Sequence, residues 1–188
     1  MSLSWTTARK LKILHFDIEN RPLSYWADRP SAEVTAIAWS WADSERVDCF
    51  LLGEQRAAWM LKEFCWHYNQ ADMVTGHYIR KHDLPILNGA LIDYEIPTLG
   101  PKLTSDTKLD MVKKGDLPAS QEALCGYFNI PAPKVHMTQA DWREANRLTG
   151  RGLVKTHDRV VGDVIQHKLL RAEMIKRGLL RPPSVWRG

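Results

Sequence analysis

Cysteine is scarce in this chain: Cys49, Cys65 and Cys125 are the whole complement of 188 residues, and no two form a C-x-x-C pair. An odd, widely spaced set signals neither a disulfide framework nor a cysteine zinc site, and it fits inert thiols in a reducing compartment. The seven histidines show no H-E-x-x-H and no H-x₃₋₅-H pair beside cysteines, which argues against a zinc enzyme. Phosphate-cradling glycines are missing too, since Gly150-Arg151-Gly152 lacks the third glycine of a dinucleotide fingerprint and no G-K-[ST] occurs. No G-x-S-x-G is present. No stretch approaches the roughly 18 uncharged apolar residues of a membrane span, and the start MSLSWTTARK lacks the apolar region of a secretory signal. The expected location is therefore cytoplasmic, with no membrane partner.

What the chain does have is enough apolar surface for a real core: 44% apolar and 26% charged residues, with a mean hydropathy of −0.36. One domain over residues 1–178 and a basic tail over 179–188 is the expected organisation. The net charge of +4 is unevenly placed, because residues 143–188 hold eleven Lys/Arg against four Asp/Glu. That basic third is the footprint expected where a polyanion lies beside a carboxylate site, or equally a solvated helix face.

Residues 11–18, 33–42 and 46–52 read as strands, the last two as a hairpin around Asp43, Ser44 and Glu45. Residues 54–70 switch to helical spacing, 71–77 resemble a short buried strand, and a second helix covers 82–91. A weak strand follows at 103–109, a helix at 119–128, and a last long helix beginning near Lys155. The tail RPPSVWRG reads as irregular, with Trp186 free to stack on a base or a neighbouring subunit. Most of the eight tryptophans, including Trp39, Trp41, Trp59 and Trp66, read as core.

The chemistry is left to carboxylates. Asp17 and Glu19 stand two apart at the end of an apolar strand, so both project from one face, where two acids repel unless a cation sits between them. Asp83 lies just beyond the strand ending at Gly76-His77, at a helix start where an acid is also ordinary capping. Asp163 shares a helical stripe with Val160, Leu170 and Met174, and either faces inward to a site or pairs with Arg159 four residues before it.

In this order the three segments resemble the DEDD, or DnaQ-like, 3′-5′ exonuclease family of the ribonuclease H-like superfamily. The D-x-E motif would be Asp17-Ile18-Glu19, and G-H-N-x-x-x-F-D would be Gly76 to Asp83, with Tyr78 and His82 in place of Asn and Phe. The third motif, Y-x-x-x-D, falls on Arg159 to Asp163, so arginine replaces the family tyrosine. Ser105-Asp106-Thr107 and the run Glu122 to Ile130 match landmarks between the second and third motifs.

The resemblance implies an α/β, ribonuclease H-like mixed five-stranded sheet, three antiparallel strands then two parallel, flanked by helices. It implies two Mg²⁺ or Mn²⁺ ions held by Asp17, Glu19, Asp83 and Asp163, with Asp17 bridging, Glu19 and Asp163 completing one site and Asp83 the second. The water-activating role of the family tyrosine or histidine falls to His157. Tyr25, Trp26, His77 and Arg159 are the substrate-binding candidates, Arg159 either on the scissile phosphate or simply covering the helix surface. The implied activity is metal-dependent 3′-5′ exonucleolysis of DNA, releasing 5′-mononucleotides, by a stand-alone replication or proofreading factor of the kind some phages encode in the host cytoplasm, or by one docked on a replicative polymerase. The alternatives are an RNA substrate, a catalytically silent nucleic-acid-binding or polymerase-docking module, and an endonuclease of the ribonuclease H type.

Overall fold

A computed structural model describes residues 9–22, 32–112, 117–131 and 135–188. Six strands among these residues form one mixed sheet in the order β3-β2-β1-β4-β5-β6. The strands are β1 (Ile13–Pro22), β2 (Ala32–Trp41), β3 (Asp48–Leu51), β4 (Met73–Gly76), β5 (Lys102–Asp106) and β6 (Ser184–Trp186). β1, β2 and β3 pair antiparallel, while β4 runs parallel to both β1 and β5. The five expected strands are thus present, and β6 adds a sixth on the far edge.

β6 corrects the reading of the tail as irregular. Ser184–Trp186 pairs antiparallel with β5, and Trp186 is buried in the main core cluster rather than available for stacking. Its pairing covers the β5 edge that would otherwise present unpaired backbone groups.

Side-chain alternation along β1 decides which face does what. Leu14, Phe16 and Ile18 point to one side, where α1 (Ala57–Gln70) and α2 (Asp83–Asp93) supply Phe64, Tyr68, Leu84, Leu87 and Leu91. The opposite face of β2 carries Ala36 and Ala38 against Val160 and Val164 of α5 (Gly150–Lys176), and small alanines let that helix lie close. His15, Asp17 and Glu19, alternating with the core residues, therefore belong to the α5 side. Trp59 and Trp66 are not core: α1 buries Met60, Leu61, Phe64 and Tyr68, leaving both tryptophans off that stripe and exposed.

Two shorter helices complete the α5 side, α3 (Gln121–Tyr127) and α4 (Gln139–Asn146). α4 is closed by a capping box in which the Thr138 hydroxyl accepts from the Asp141 N–H and the Asp141 carboxylate accepts from the Thr138 N–H. α5 begins five residues before Lys155, capped by the Thr149 hydroxyl on the Gly152 N–H. No helix among the described residues is long and apolar enough to cross a membrane.

Candidate active site

Asp17 and Glu19 leave the α5 face of β1 and meet Asp163 from the middle of α5, with one carboxylate oxygen of each lying within 4.8 Å of the others. A register shift between Glu19 and Asn20 interrupts the β1–β2 ladder directly after the pair. Such bulges re-aim side chains at the edge of a site. The Glu19 and Asp163 side chains are only 13% and 11% exposed. Hard oxygen donors converging in this way suit a divalent cation such as Mg²⁺ or Mn²⁺.

Electrostatics report the same crowding. Burial, then Asp83, Asp163 and Glu19, raise the Asp17 carboxyl well above the usual carboxylate range, and Arg159 opposes them. Asp83, buried at the first turn of α2, is pushed up to about 7 by burial, with Asp106 and Glu19 adding to the rise. Its Oδ1 accepts the Ile18 N–H at 3.3 Å, which ties the second acidic motif to the strand bearing the first.

The turn between β4 and α2 is fixed from two sides. Gly76 passes so near β1 that a Cβ there would meet the Phe16 carbonyl oxygen at 2.7 Å. Buried Asp106, at the end of β5, accepts the Tyr78 and Arg80 N–H groups at 3.0 and 3.1 Å and those of Lys108 and Leu109 at 3.0 Å. Tyr78 is held at φ +73°, a region that costs a bulky residue strain. His77 is oriented by Thr107 Oγ1 at 3.0 Å and the Ala119 carbonyl at 3.1 Å.

Arg159 sits within the acid cluster instead of over the helix surface. Its Nε donates to Glu19 Oε1 at 2.6 Å, its Nη2 lies 3.7 Å from Asp163 Oδ2, and its guanidinium carbon is 5.1 Å from the centre of the Trp142 ring. The i−4 pairing with Asp163 is present, joined by a longer-range pair to Glu19. His157 is not brought to the acids. Its ring is half-exposed beside Asp158 Oδ1 at 3.2 Å, because the buried stripe of α5 runs through Thr156, Val160 and Asp163 and turns residue 157 outward. Tyr25 and Trp26 lie outside the described residues.

The open cleft over the cluster is lined by Asp17, Asp163, Arg159 and His77 together with Tyr78, His82, Lys108 and Gln121. The last four were not singled out from sequence as functional. Lys108 follows the Asp106-Thr107 landmark directly and its Nζ stands 3.9 Å over the Tyr78 ring. Gln121 donates to the Asp163 carbonyl at 3.0 Å and to Gln166 Oε1 at 2.9 Å, hooking α3 onto α5.

No family model matches the sequence, and no curated protein is similar to it. A solved structure does share the fold. The family B DNA polymerase from the hyperthermophilic archaeon Pyrobaculum calidifontis aligns over 92% of this chain with a TM-score of 0.65 and 15% identity. The chain spans 25% of that polymerase's length. At this identity the likeness is one of fold, and the mixed sheet flanked by helices is compatible with the ribonuclease H-like architecture.

Proposed function

We propose that this protein is a divalent-metal-dependent 3′-5′ exonuclease acting on DNA. The observation that carries the reading is the convergence of Asp17, Glu19 and Asp163 from two elements, with Asp83 tied to the same strand by the Ile18 amide. On this reading Asp17, Glu19 and Asp163 hold one ion, and Asp17 and Asp83 hold a second directly or through water. When bound, the ions neutralise charge on the phosphodiester and its leaving oxygen and lower the pKa of bound water. Water oxygen bonds to phosphorus, the bond to the 3′ oxygen breaks, that oxygen takes a proton, and a 5′-mononucleotide leaves.

The chain's other cleft residues orient this exchange. His77, Tyr78 and Lys108 line the approach, offering a ring face and a cation to the terminal nucleotide. Of the two histidines in the cleft, His82 is the one assigned the proton-accepting role, since both ring nitrogens of His77 are engaged by Thr107 and the Ala119 carbonyl while burial and Lys108 disfavour protonation of His82. A replication or proofreading setting, alone or docked on a polymerase, fits a DNA substrate, and RNA is the alternative within the class.

The test is a 5′-labelled single-stranded DNA oligonucleotide with Mn²⁺ or Mg²⁺, alongside Asp17→Ala and EDTA. A ladder shortening from the 3′ end is expected, reduced about 10³-fold or more by Asp17→Ala, as the loss of several kcal/mol of charge stabilisation would require. The Arg159–Glu19 pair favours a second reading, a silent nucleic-acid-binding module. Uncut oligonucleotide that is nonetheless bound would establish that reading and refute the first.

A further inference from the structure

Arg159 stands among the carboxylates that the preceding reading gives to metal. Its guanidinium bonds Glu19 at 2.6 Å and reaches toward Asp163 at 3.7 Å, bringing a fixed positive charge to two of the three clustered acids. The arginine is only 20% exposed, so little water screens it from what enters beside it. A divalent ion ligated by Glu19 and Asp163 would lie about 2.1 Å from their oxygens. That places it a few ångström from the guanidinium, a like-charge contact whose cost grows as water is excluded.

We infer that Arg159 and a divalent cation compete for Glu19 and Asp163, so that the arginine is a built-in counterion which metal must displace. This rests on the metal-dependent reading above. The displaced side chain has a resting place: Trp142, projecting from α4, already presents its ring to the guanidinium at 5.1 Å, and a cation can stay on that face after releasing Glu19. Arg159 is thus a positioning residue that holds the acids together in metal-free protein and lowers their apparent metal affinity by the fraction of molecules in which Glu19 is already paired.

The test is calorimetric titration of the full chain with Mn²⁺ for wild type, Arg159→Gln and Arg159→Lys, with melting temperatures recorded in EDTA and in saturating Mn²⁺. Arg159→Gln should bind Mn²⁺ about tenfold more tightly, the factor expected if some nine molecules in ten hold the pair closed. It should also melt lower than wild type in EDTA and gain more from Mn²⁺. Arg159→Lys keeps the charge but not the fork that spans two carboxylates, and should fall between them. If Arg159→Gln does not fold, tighter binding by Arg159→Lys than by wild type carries the same support. Equal affinities in all folded variants, abolished by Asp17→Ala, would overturn the competition and leave the metal site standing. No Mn²⁺ binding by any of them would overturn both.

Discussion

His82 and His157 differ in place more than in chemistry. His82 is the residue immediately before α2, and its side chain lines the cleft with Asp17 and Asp163. Its protonation is disfavoured first by burial and then by Lys108, which leaves a ring nitrogen able to accept a proton at neutral pH. His157 pairs with the adjacent Asp158 on the outer side of α5. Replacing His82 by Ala should therefore slow turnover about 10²-fold or more, the usual cost of a lost general base. His157→Ala should leave the rate near wild type. Single-turnover rates on the same oligonucleotide decide the matter, and the reverse order would return the role to His157.

The residues of the site were legible in the chain wherever chemistry was packed into a short segment. Asp17-x-Glu19 at a strand end and Gly76 to Asp83 at a strand–turn–helix carry their geometry with them, because strand period and helix start fix where each carboxylate points. Arg159 could be read only halfway. Its pair with Asp163 is a helix-period contact, but its partner Glu19 lies 140 positions away and only the packing of α5 on β1 joins them. Lys108 and Gln121 are brought to the same cleft by other elements and left no mark in sequence, and His82 was legible only as a departure within the second motif.

Among the elements, α4 and the first turn of α5 were, like β6, not legible in the sequence. Thr138-x-x-Asp141 is a capping signal, but the following helix has only two turns and buries little beyond Asp141 and Ala145, so its apolar period is faint. Gly150 and Gly152 weaken the helical signal ahead of Lys155, because glycine weakens a helix by about 1 kcal/mol relative to alanine. Gly152 is nonetheless required there: a Cβ would run into the Glu144 carbonyl, the point where α4 packs on α5. Gly150 faces open space. Gly150→Ala is accordingly expected to stabilise by about 0.5–1 kcal/mol, whereas Gly152→Ala should destabilise by about 1–3 kcal/mol through overpacking against backbone. Urea unfolding of the two variants checks the pair, and equal effects of one sign would contradict the contact. Since α4 also carries Trp142, Gly152→Ala should disturb the Arg159 contact as well.

Over the whole molecule, two sets of buried titratable groups pull stability in opposite directions with pH. His15 of β1 and His167 of α5 face each other with their Nδ1 atoms 3.1 Å apart, which requires one ring to donate and the other to accept. Burial, with Arg171 and Lys168 adding to it, lowers His15 to about 3, and burial with His15 lowers His167 well below its ordinary value. Unfolded histidines titrate near about 6.5, so between that pH and about 3 the unfolded chain binds more protons and stability falls as pH falls. The carboxylates act oppositely. Asp83 is raised to about 7 and Asp17 is raised as well, so in metal-free protein the fold binds more protons than the unfolded chain from about 4 upward and loses stability as pH rises. A divalent ion removes this second slope, because it binds the ionised carboxylates and favours them in the fold. Melting temperature should therefore climb steeply from pH 4 to pH 6.5 in saturating Mn²⁺, since only the histidines then set the slope. In EDTA the climb should be much shallower, with the two curves converging toward pH 4. Parallel curves would mean that the acids and the metal are not linked, and a flat curve in Mn²⁺ would mean that the histidine pair is not held neutral.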